Sequence, residues 1–284
     1  MEKDHYFGGK SGDGHYQQII NLIPPHDTYI ELFGGKIGIF RKKKPARKTF
    51  IIEKDRALTP FYKKQGFEIY DSALNQDLED FYARLVMGAN GCFCLIGDAF
   101  CILQDLFEEI DHASVFIYAD PPYPLHSRED LTPVYRYILN DNEHRQLANL
   151  LYSFRKAKVA LSTYPNDIYP DVLWGYSEDW EMEEIKAPTR HGMVTEQLWM
   201  NYKRPTELHD YRYLGADYRE REDIQRKQKR WLRNFSEMPI LEQNAMVQKL
   251  TAVIGKNTEA GQGKKKRKKP QPSLHEILFG TVSP

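Results

Sequence analysis

An acid, two prolines and a tyrosine follow directly on an apolar run near the middle of the chain. The run covers residues 115–119, and Asp120, Pro121, Pro122 and Tyr123 come after it. Proline lacks the N–H group that a sheet ladder needs, so we expect a buried strand that ends at Asp120. A carboxylate at the carboxyl end of a parallel strand lies where open α/β sheets bind ligands. Beside an aromatic ring it can hold a flat polar group, and the alternative is a solvated aspartate in a turn.

Two further acids end strand-like segments. Glu53 closes the run 49–53, about twenty residues after a glycine turn, where an acid typically accepts hydrogen bonds from both ribose hydroxyls of a nucleoside. Asp55 is the alternative for that role. Asp98 follows Gly97 at the end of a third short apolar segment. The pattern predicts three carboxylates near the ends of neighbouring strands.

Two glycine-rich segments precede these acids. The first, residues 6–14, contains Lys10, and its backbone N–H groups could hold a carboxylate or another anion. It could equally be a flexible N-terminus. The second, residues 34–38, follows a strand predicted at 28–33 and precedes a helix, which is the layout of a nucleotide-type site. It matches neither the dinucleotide fingerprint nor the Walker loop.

Strand-like and helix-like segments alternate along the first two thirds of the chain. Helical patterns cover 15–23, 56–88, 102–110 and 142–156, the last with Asp141 as its N-cap, and a further strand covers 158–164. Two final strands, 180–185 and 196–202, are expected to form an antiparallel hairpin joined by the basic loop 186–191. The order predicts an α/β fold with a mostly parallel sheet and a C-terminal hairpin.

Composition narrows the function classes. The chain has 284 residues with 40 basic and 40 acidic side chains, so any affinity for nucleic acid must come from local patches. No apolar run is long enough to span a bilayer, and no signal-peptide pattern is present. The three cysteines, Cys92, Cys94 and Cys101, lack zinc-site spacing and are expected to be reduced, buried small apolar residues.

The C-terminal third differs in composition from the rest. We expect a catalytic domain over 1–205, with a small helical insertion at about 56–90, a basic helical extension over 206–254, and a disordered Lys-rich tail over 255–284. The run 219–233, with Trp231 among its basic residues, is either a solvated helix face or a helix that contacts phosphates. The closing segment 274–279 is either a docking peptide or without a role.

In this order the motifs resemble the Dam-like class of DNA adenine-specific methyltransferases, which use S-adenosylmethionine. The resemblance covers about residues 5–204 and implies a Rossmann-like methyltransferase fold. The segments that carry it are 6–10, 31–35, 52–53, 97–100, 120–123, 143–163 and 195–202.

The resemblance also implies roles for single residues. Tyr6 and Lys10 would contact the methionine end of the cofactor, and Glu31, Phe33 and Gly35 would form a wall of its pocket. Glu53 would hold the ribose, and Asp98 with Phe100 the cofactor's adenine.

The target base would meet the segment that follows the central strand. Asp120 and the carbonyl of Pro121 would accept hydrogen bonds from the amino group of an adenine extruded from double-stranded DNA, and Tyr123 would stack on that base. No metal is required, and the expected location is a bacterial or phage-infected cytoplasm.

The chain departs from the family pattern at three places. Ile37 replaces the second glycine of the usual turn, Leu32 stands where proline is common, and the interval from Glu53 to Asp98 is short for a target-recognition region. A small recognition element implies low or unusual sequence specificity, or recognition supplied by the basic helix 219–233 and the long loop 124–139, which carries Arg128, Tyr135, Arg136 and Tyr137. An RNA adenine methyltransferase and a non-catalytic DNA-binding relative are the alternatives.

Overall fold

The computed structural model describes residues 10, 12, 14–87, 90–127, 136–189 and 192–260 of the chain. Within these residues eight strands form one sheet, and ten α-helices accompany them. The strands are β1 Thr28–Leu32, β2 Lys48–Glu53, β3 Glu68–Asp71, β4 Gly91–Ile96, β5 Val115–Ala119, β6 Lys158–Thr163, β7 Glu181–Thr189 and β8 Gly192–Met200. The helices are α1 His15–Ile20, α2 Gly38–Lys42, α3 Thr59–Lys64, α4 Asn75–Met87, α5 Ala99–Asp105, α6 Phe107–Ile110, α7 Asp141–Ser153, α8 Ile168–Tyr176, α9 Tyr218–Ser236 and α10 Ile240–Ala260.

The sheet runs in the order β3-β4-β2-β1-β5-β6-β8-β7. Its first six strands pair in parallel, and β8 and β7 are added antiparallel at one edge. The chain moves outward from β1 to β2 and β4, then returns to the other side of β1 with β5. That reversal makes the carboxyl ends of β1 and β5 the topological switch point, where sheets of this type open a crevice for ligands.

The central strands are apolar throughout because helices cover both faces of the sheet. Every residue of β1, β2 and β5 is buried. On one face Ile30, Phe50 and Ile117 belong to a single large apolar cluster, and on the other Tyr29 and Phe116 belong to a second. The predicted fold class is confirmed: a Rossmann-like α/β sheet, mostly parallel, with a C-terminal antiparallel hairpin and a helical C-terminal region.

Two elements of the structure, β3 and α8, are not predicted by the sequence. The region 56–88, expected to be helical, contains the edge strand β3, whose four residues are only partly buried and give too short a pattern to identify. The sequence does not predict helix α8, because Pro170 in this segment indicates a break in helical structure. In the structure Pro170 lies in the first turn, where a helix tolerates proline.

Three further details were wrong. Asn140, not Asp141, caps α7, and it forms a capping box with Glu143. The final hairpin is longer than expected, since β7 continues to Thr189 through most of the predicted basic loop. Cys101 is exposed, Cys92 is partly buried, and only Cys94 is buried as predicted.

The described chain divides into two compact units, one ending at Tyr213 and the other beginning at Leu214. Residues after 205 therefore continue the first unit: Asp210 accepts the backbone N–H of Lys44 at 2.8 Å, and the Arg212 guanidinium donates to the Lys42 carbonyl at 2.9 Å. The second unit contains α9 and α10, and α10 extends helical structure to Ala260, beyond the start of the tail predicted at 255. None of the helices in the described ranges has the length and apolarity to cross a membrane.

Candidate functional site

A cavity of about 370 Å³ opens at the carboxyl ends of the central parallel strands. It brings together most of the residues that the sequence pointed to, although they are spread over more than a hundred positions. The predicted residues that line it are Lys10, Glu31, Phe33, Gly35, Glu53, Asp98, Phe100, Asp120 and Pro122. Tyr6 lies outside the described residues, as do Arg128 and Tyr135.

The turn after β1 forms one wall of this cavity and has unusual backbone geometry. Phe33, Gly35 and Ile37 have φ values of 58°, 50° and 47°, in the left-handed region that residues other than glycine rarely occupy. A Cβ on Gly34 would lie 2.4 Å from the Ile51 side chain, so glycine is required there. Ile37, which stands where the family pattern has its second glycine, is itself left-handed and lies at the start of α2.

Glu53 anchors the same turn from the end of β2. One of its carboxylate oxygens accepts the backbone N–H of Gly35 at 2.8 Å, and the other accepts that of Asp55 at 2.6 Å. Burial raises the pKa of Glu53, and the N–H groups of Asp55 and Gly35 oppose that shift by stabilising the carboxylate. The side chain lines the cavity with acceptor capacity left for a ligand hydroxyl.

Asp98 and Phe100 sit at the start of α5, on the wall beyond Glu53. The Asp98 carboxylate caps the helix by accepting the backbone N–H of Phe100 at 2.9 Å, and it pairs with the Lys54 ammonium at 2.8 Å. The Phe100 ring meets the Phe33 ring edge to face, with centroids 6.5 Å apart. This wall combines an apolar surface with a carboxylate, as recognition of a heterocyclic ring requires.

Glu31 is a buried acid next to the turn. Its carboxylate accepts a hydrogen bond from the Tyr29 hydroxyl at 2.8 Å, and only 3% of the residue is exposed. Burial raises the pKa of Glu31 to about 8, and the negative charge of Asp120 adds to the effect. Glu31 therefore holds its proton more tightly than an exposed glutamate does.

Asp120 follows β5 and lies beside the start of the turn, with its backbone N–H 3.4 Å from the Leu32 carbonyl oxygen. Its carboxylate is held by two neighbouring groups. The Lys10 ammonium is 3.3 Å from Oδ1, and the Tyr123 hydroxyl is 3.2 Å from the same atom. About a fifth of the Asp120 side chain is exposed, and that part faces the cavity. Burial of the rest raises the pKa of Asp120 to about 6, although the charge of Lys10 opposes the shift.

Tyr123 is placed differently from the expectation of a base-stacking ring. Only 7% of the residue is exposed, its ring packs edge-on against Tyr164 with centroids 4.5 Å apart, and the Lys10 ammonium lies 4.6 Å from its centroid. Its hydroxyl contacts the same ammonium. The phenol is turned inward because it completes this polar cluster, so in this conformation the ring is not offered to a base. Pro122, not the buried Pro121, lines the cavity.

Two parts of the site were not assigned from the sequence. Glu196 on β8 belongs to the cluster around Lys10. The resemblance includes the segment 195–202, which contains Glu196, but gives this residue no role. Residues 137–139 line the cavity together with Arg136, whose guanidinium pairs with Asp55 at 3.2 Å. The sequence suggests DNA contacts for this loop, and its composition does not indicate that residues 136–139 line the cavity.

Comparisons with known proteins identify no family for the chain. No protein-family model matches the chain, and no curated protein matches it. Matching solved structures include a magnesium protoporphyrin IX methyltransferase from Synechocystis with bound SAM, at 11% identity and a TM-score of 0.37, over 66% of this chain and 79% of that one. An O-methyltransferase from Bacillus cereus in complex with SAH matches at 9% identity and a TM-score of 0.37, over the same two fractions.

A third matching structure bears the name of a different activity. A precorrin 8W decarboxylase from Methanobacterium thermoautotrophicum matches at 10% identity and a TM-score of 0.37, over 65% of this chain and 87% of that one. With TM-scores of 0.37 these matches carry no argument about this chain, and its function must be argued from the site.

Proposed function

We propose that the chain is an S-adenosylmethionine-dependent methyltransferase that methylates the exocyclic N6 amino group of adenine in DNA. The observation that carries the proposal is the position of Asp120, which follows a buried central strand and faces a cavity lined by Glu31, Glu53 and Asp98. The carboxylate that would hold a flat amino group thus lies beside a pocket suited to a nucleoside.

The residues present fit the chemistry of that cofactor. Glu31 is a buried acid, and the positive charge of an ammonium group beside it would favour loss of its proton to solvent and formation of an ion pair; Glu53 offers acceptor oxygens to ribose hydroxyls. Phe33 and Phe100 provide apolar surface for the adenine ring, and Asp98 stands next to them. Lys10 lines the cavity near the position expected for a carboxylate, though its ammonium already contacts two acids. When bound, the cofactor supplies an electrophilic methyl group on a sulfonium.

Asp120 would bind the amino group of the target base and accept a proton from it. The lone pair of the adenine amine is delocalised into the ring, so the nitrogen is a poor nucleophile. Hydrogen bonds from its two hydrogens to the Asp120 carboxylate and to a carbonyl of the Asp-Pro-Pro-Tyr segment would favour a tetrahedral nitrogen and stabilise the positive charge that develops there. A methylated amine nitrogen would carry a positive charge and an acidic proton, and the Asp120 carboxylate would accept that proton.

Contacts to DNA are assigned to basic side chains outside the cavity. Helix α9 carries Arg and Lys along residues 226–233, and all of these residues are exposed. Trp231, 63% exposed, lies among them. An exposed run of cations with an aromatic ring suits a phosphate backbone, whereas Arg136 is engaged with Asp55.

Labelled S-adenosylmethionine tests the proposal directly. The protein is incubated with unmethylated DNA or RNA, the product is digested, and the labelled nucleoside is identified by mass spectrometry. N6-methyldeoxyadenosine is the expected product. Asp120→Asn should abolish it, while Asp80→Asn, an exposed residue of α4, should leave it unchanged. Label confined to RNA, or no label in any nucleic acid, would refute the DNA assignment.

A further inference from the structure

Two acids from different strands share the ammonium of one lysine. Lys10 Nζ lies 2.7 Å from Glu196 Oε2 and 3.3 Å from Asp120 Oδ1, so the closer partner is the acid that does not line the cavity. The lysine and glutamate side chains are 4% and 9% exposed. In such surroundings the ammonium interacts more strongly with the closer acid, Glu196.

Glu196 is itself fixed by groups from three parts of the chain. His15 Nε2, at the start of α1, lies 3.0 Å from Glu196 Oε2, and the Tyr123 hydroxyl lies 3.1 Å from the same oxygen. Burial alone would raise the pKa of Glu196, but Lys10 and His15 bring it down to about 2. The glutamate is therefore an anion at neutral pH.

The position of the Lys10 ammonium determines how many hydrogen bonds the Asp120 carboxylate can still accept. A lysine paired with Asp120 alone would occupy one carboxylate oxygen closely and neutralise the group. With Glu196 present, the lysine contact to Asp120 is long, and a second negative charge stands nearby. Asp120 keeps both its acceptor capacity and a higher affinity for a proton.

We propose that Glu196 is a positioning residue: together with His15 it draws the Lys10 ammonium away from Asp120 and so keeps the Asp120 carboxylate available to the target amino group. The inference rests on the proposed function, in which Asp120 accepts hydrogen bonds from that amine. A purely structural role, in which Glu196 only ties α1 to β8, would leave the titration of Asp120 unchanged once the protein is folded.

The first experiment needs no catalysis. Protein labelled with carboxyl-¹³C aspartate is titrated by NMR, and the Asp120 signal is assigned as the one absent from Asp120→Asn. In Glu196→Gln the midpoint of Asp120 should fall by about one pH unit, because a neighbouring negative charge is lost and Lys10 moves to Asp120. Glu184→Gln, an exposed glutamate on the adjacent strand β7, is the matched control and should leave the midpoint where it was. An unchanged midpoint in Glu196→Gln overturns the proposal.

The second experiment measures methyl transfer at saturating cofactor. Glu196→Gln should lower kcat by about tenfold, with a smaller change in KM for DNA, and should move the acidic limb of the pH profile to lower pH. A lower kcat without that movement would mean a structural role only.

A second variant covers the case in which Glu196→Gln does not fold. Glu196→Asp keeps the negative charge but shortens the side chain by one methylene, so the acid draws the Lys10 ammonium less strongly away from Asp120, and the Asp120 midpoint should fall by less than in Glu196→Gln. An unchanged midpoint in a folded Glu196→Asp variant would contradict the proposal. A wild-type protein without methyl transfer would refute the proposed function, while the titration would still decide whether Glu196 controls the charge of Asp120.

Discussion

The Glu53 carboxylate accepts the backbone N–H of Gly35 at 2.8 Å and thereby joins the end of β2 to the turn after β1. The parallel register makes the contact possible, since Leu32 lies opposite Ile52 at the ends of the two strands. The Tyr62 hydroxyl donates to the Gly35 carbonyl at 2.9 Å and fixes the turn from α3. One acid thus stabilises the turn and lines the cavity that the turn encloses.

Glu53→Ala should weaken both cofactor binding and the fold. The substitution removes the acceptor for two backbone N–H groups and the proposed acceptor for the ribose hydroxyls, at a cost of about 1–3 kcal/mol in stability. Affinity for the product S-adenosylhomocysteine, measured by calorimetry, should fall by at least about tenfold. Glu79→Ala, exposed on α4, is the control. Unchanged affinity in Glu53→Ala would exclude Glu53 from the cofactor site.

Gly34→Ala should destabilise the protein by about 1–3 kcal/mol. The new methyl group would lie 2.4 Å from the Ile51 side chain and 2.8 Å from the Tyr62 hydroxyl oxygen, both in the packed core beneath the turn. Gly175→Ala provides the contrast, because that glycine lies within α8 with no atom within 4 Å of the added carbon. It should be neutral or stabilising. Chemical denaturation measures both, and equal effects would show that the turn can relax.

The framework of the site was predictable because it depends on local patterns. Continuous apolar runs predicted β1, β2, β4, β5 and β6, and an acid directly after such a run must lie at the carboxyl edge of a parallel sheet. This is why Glu53, Asp98 and Asp120 could be placed together without a structure.

The remainder depends on contacts between distant parts of the chain. Glu196 is an ordinary position of an alternating strand, and only the antiparallel addition of β8 beside β6 places it against Lys10. The inward orientation of Tyr123 follows from the same cluster. Neither leaves a pattern in the residues next to it, so sequence periodicity could not predict the polar interior of the site.

Methyl transfer should decline as the pH falls through about 6, because protonation of Asp120 removes the acceptor for the target amine. The Lys10 charge lowers the pKa of Asp120, so Lys10→Met should move this limb to higher pH, opposite to the shift expected for Glu196→Gln. Initial rates at saturating cofactor between pH 5 and 9 measure the limb. A limb that does not respond to Lys10→Met would show that another group controls it.

The free energy of unfolding should contain a contribution from Glu31 that decreases as the pH rises from about 5 to 8. In this range the unfolded glutamate has lost its proton, whereas burial raises the folded pKa to about 8 and the folded protein keeps it. The folded state binds more protons, so stability falls with rising pH, by on the order of 3 kcal/mol across the window. Glu31→Gln should flatten the curve obtained by denaturation at several pH values, and Glu79→Gln should not. Parallel curves for wild type and Glu31→Gln would place the folded pKa near its ordinary value.

The basic face of α9 should determine how DNA affinity depends on salt. Lys227→Gln combined with Lys229→Gln removes two exposed cations without altering the Asp217 cap, whose carboxylate accepts the Glu220 backbone N–H at 2.8 Å. Each phosphate that α9 no longer neutralises should reduce the slope of log affinity against log salt by about 0.9, so the slope should fall by up to about 2. The matched control replaces Lys63 and Lys64 on α3, which are also exposed, and should leave the slope unchanged. Fluorescence anisotropy with a short duplex between about 50 and 200 mM salt measures the slope, because binding to phosphates loses affinity steeply over this range. If both double variants change the slope equally, the affinity reflects overall charge and not binding of phosphates by α9.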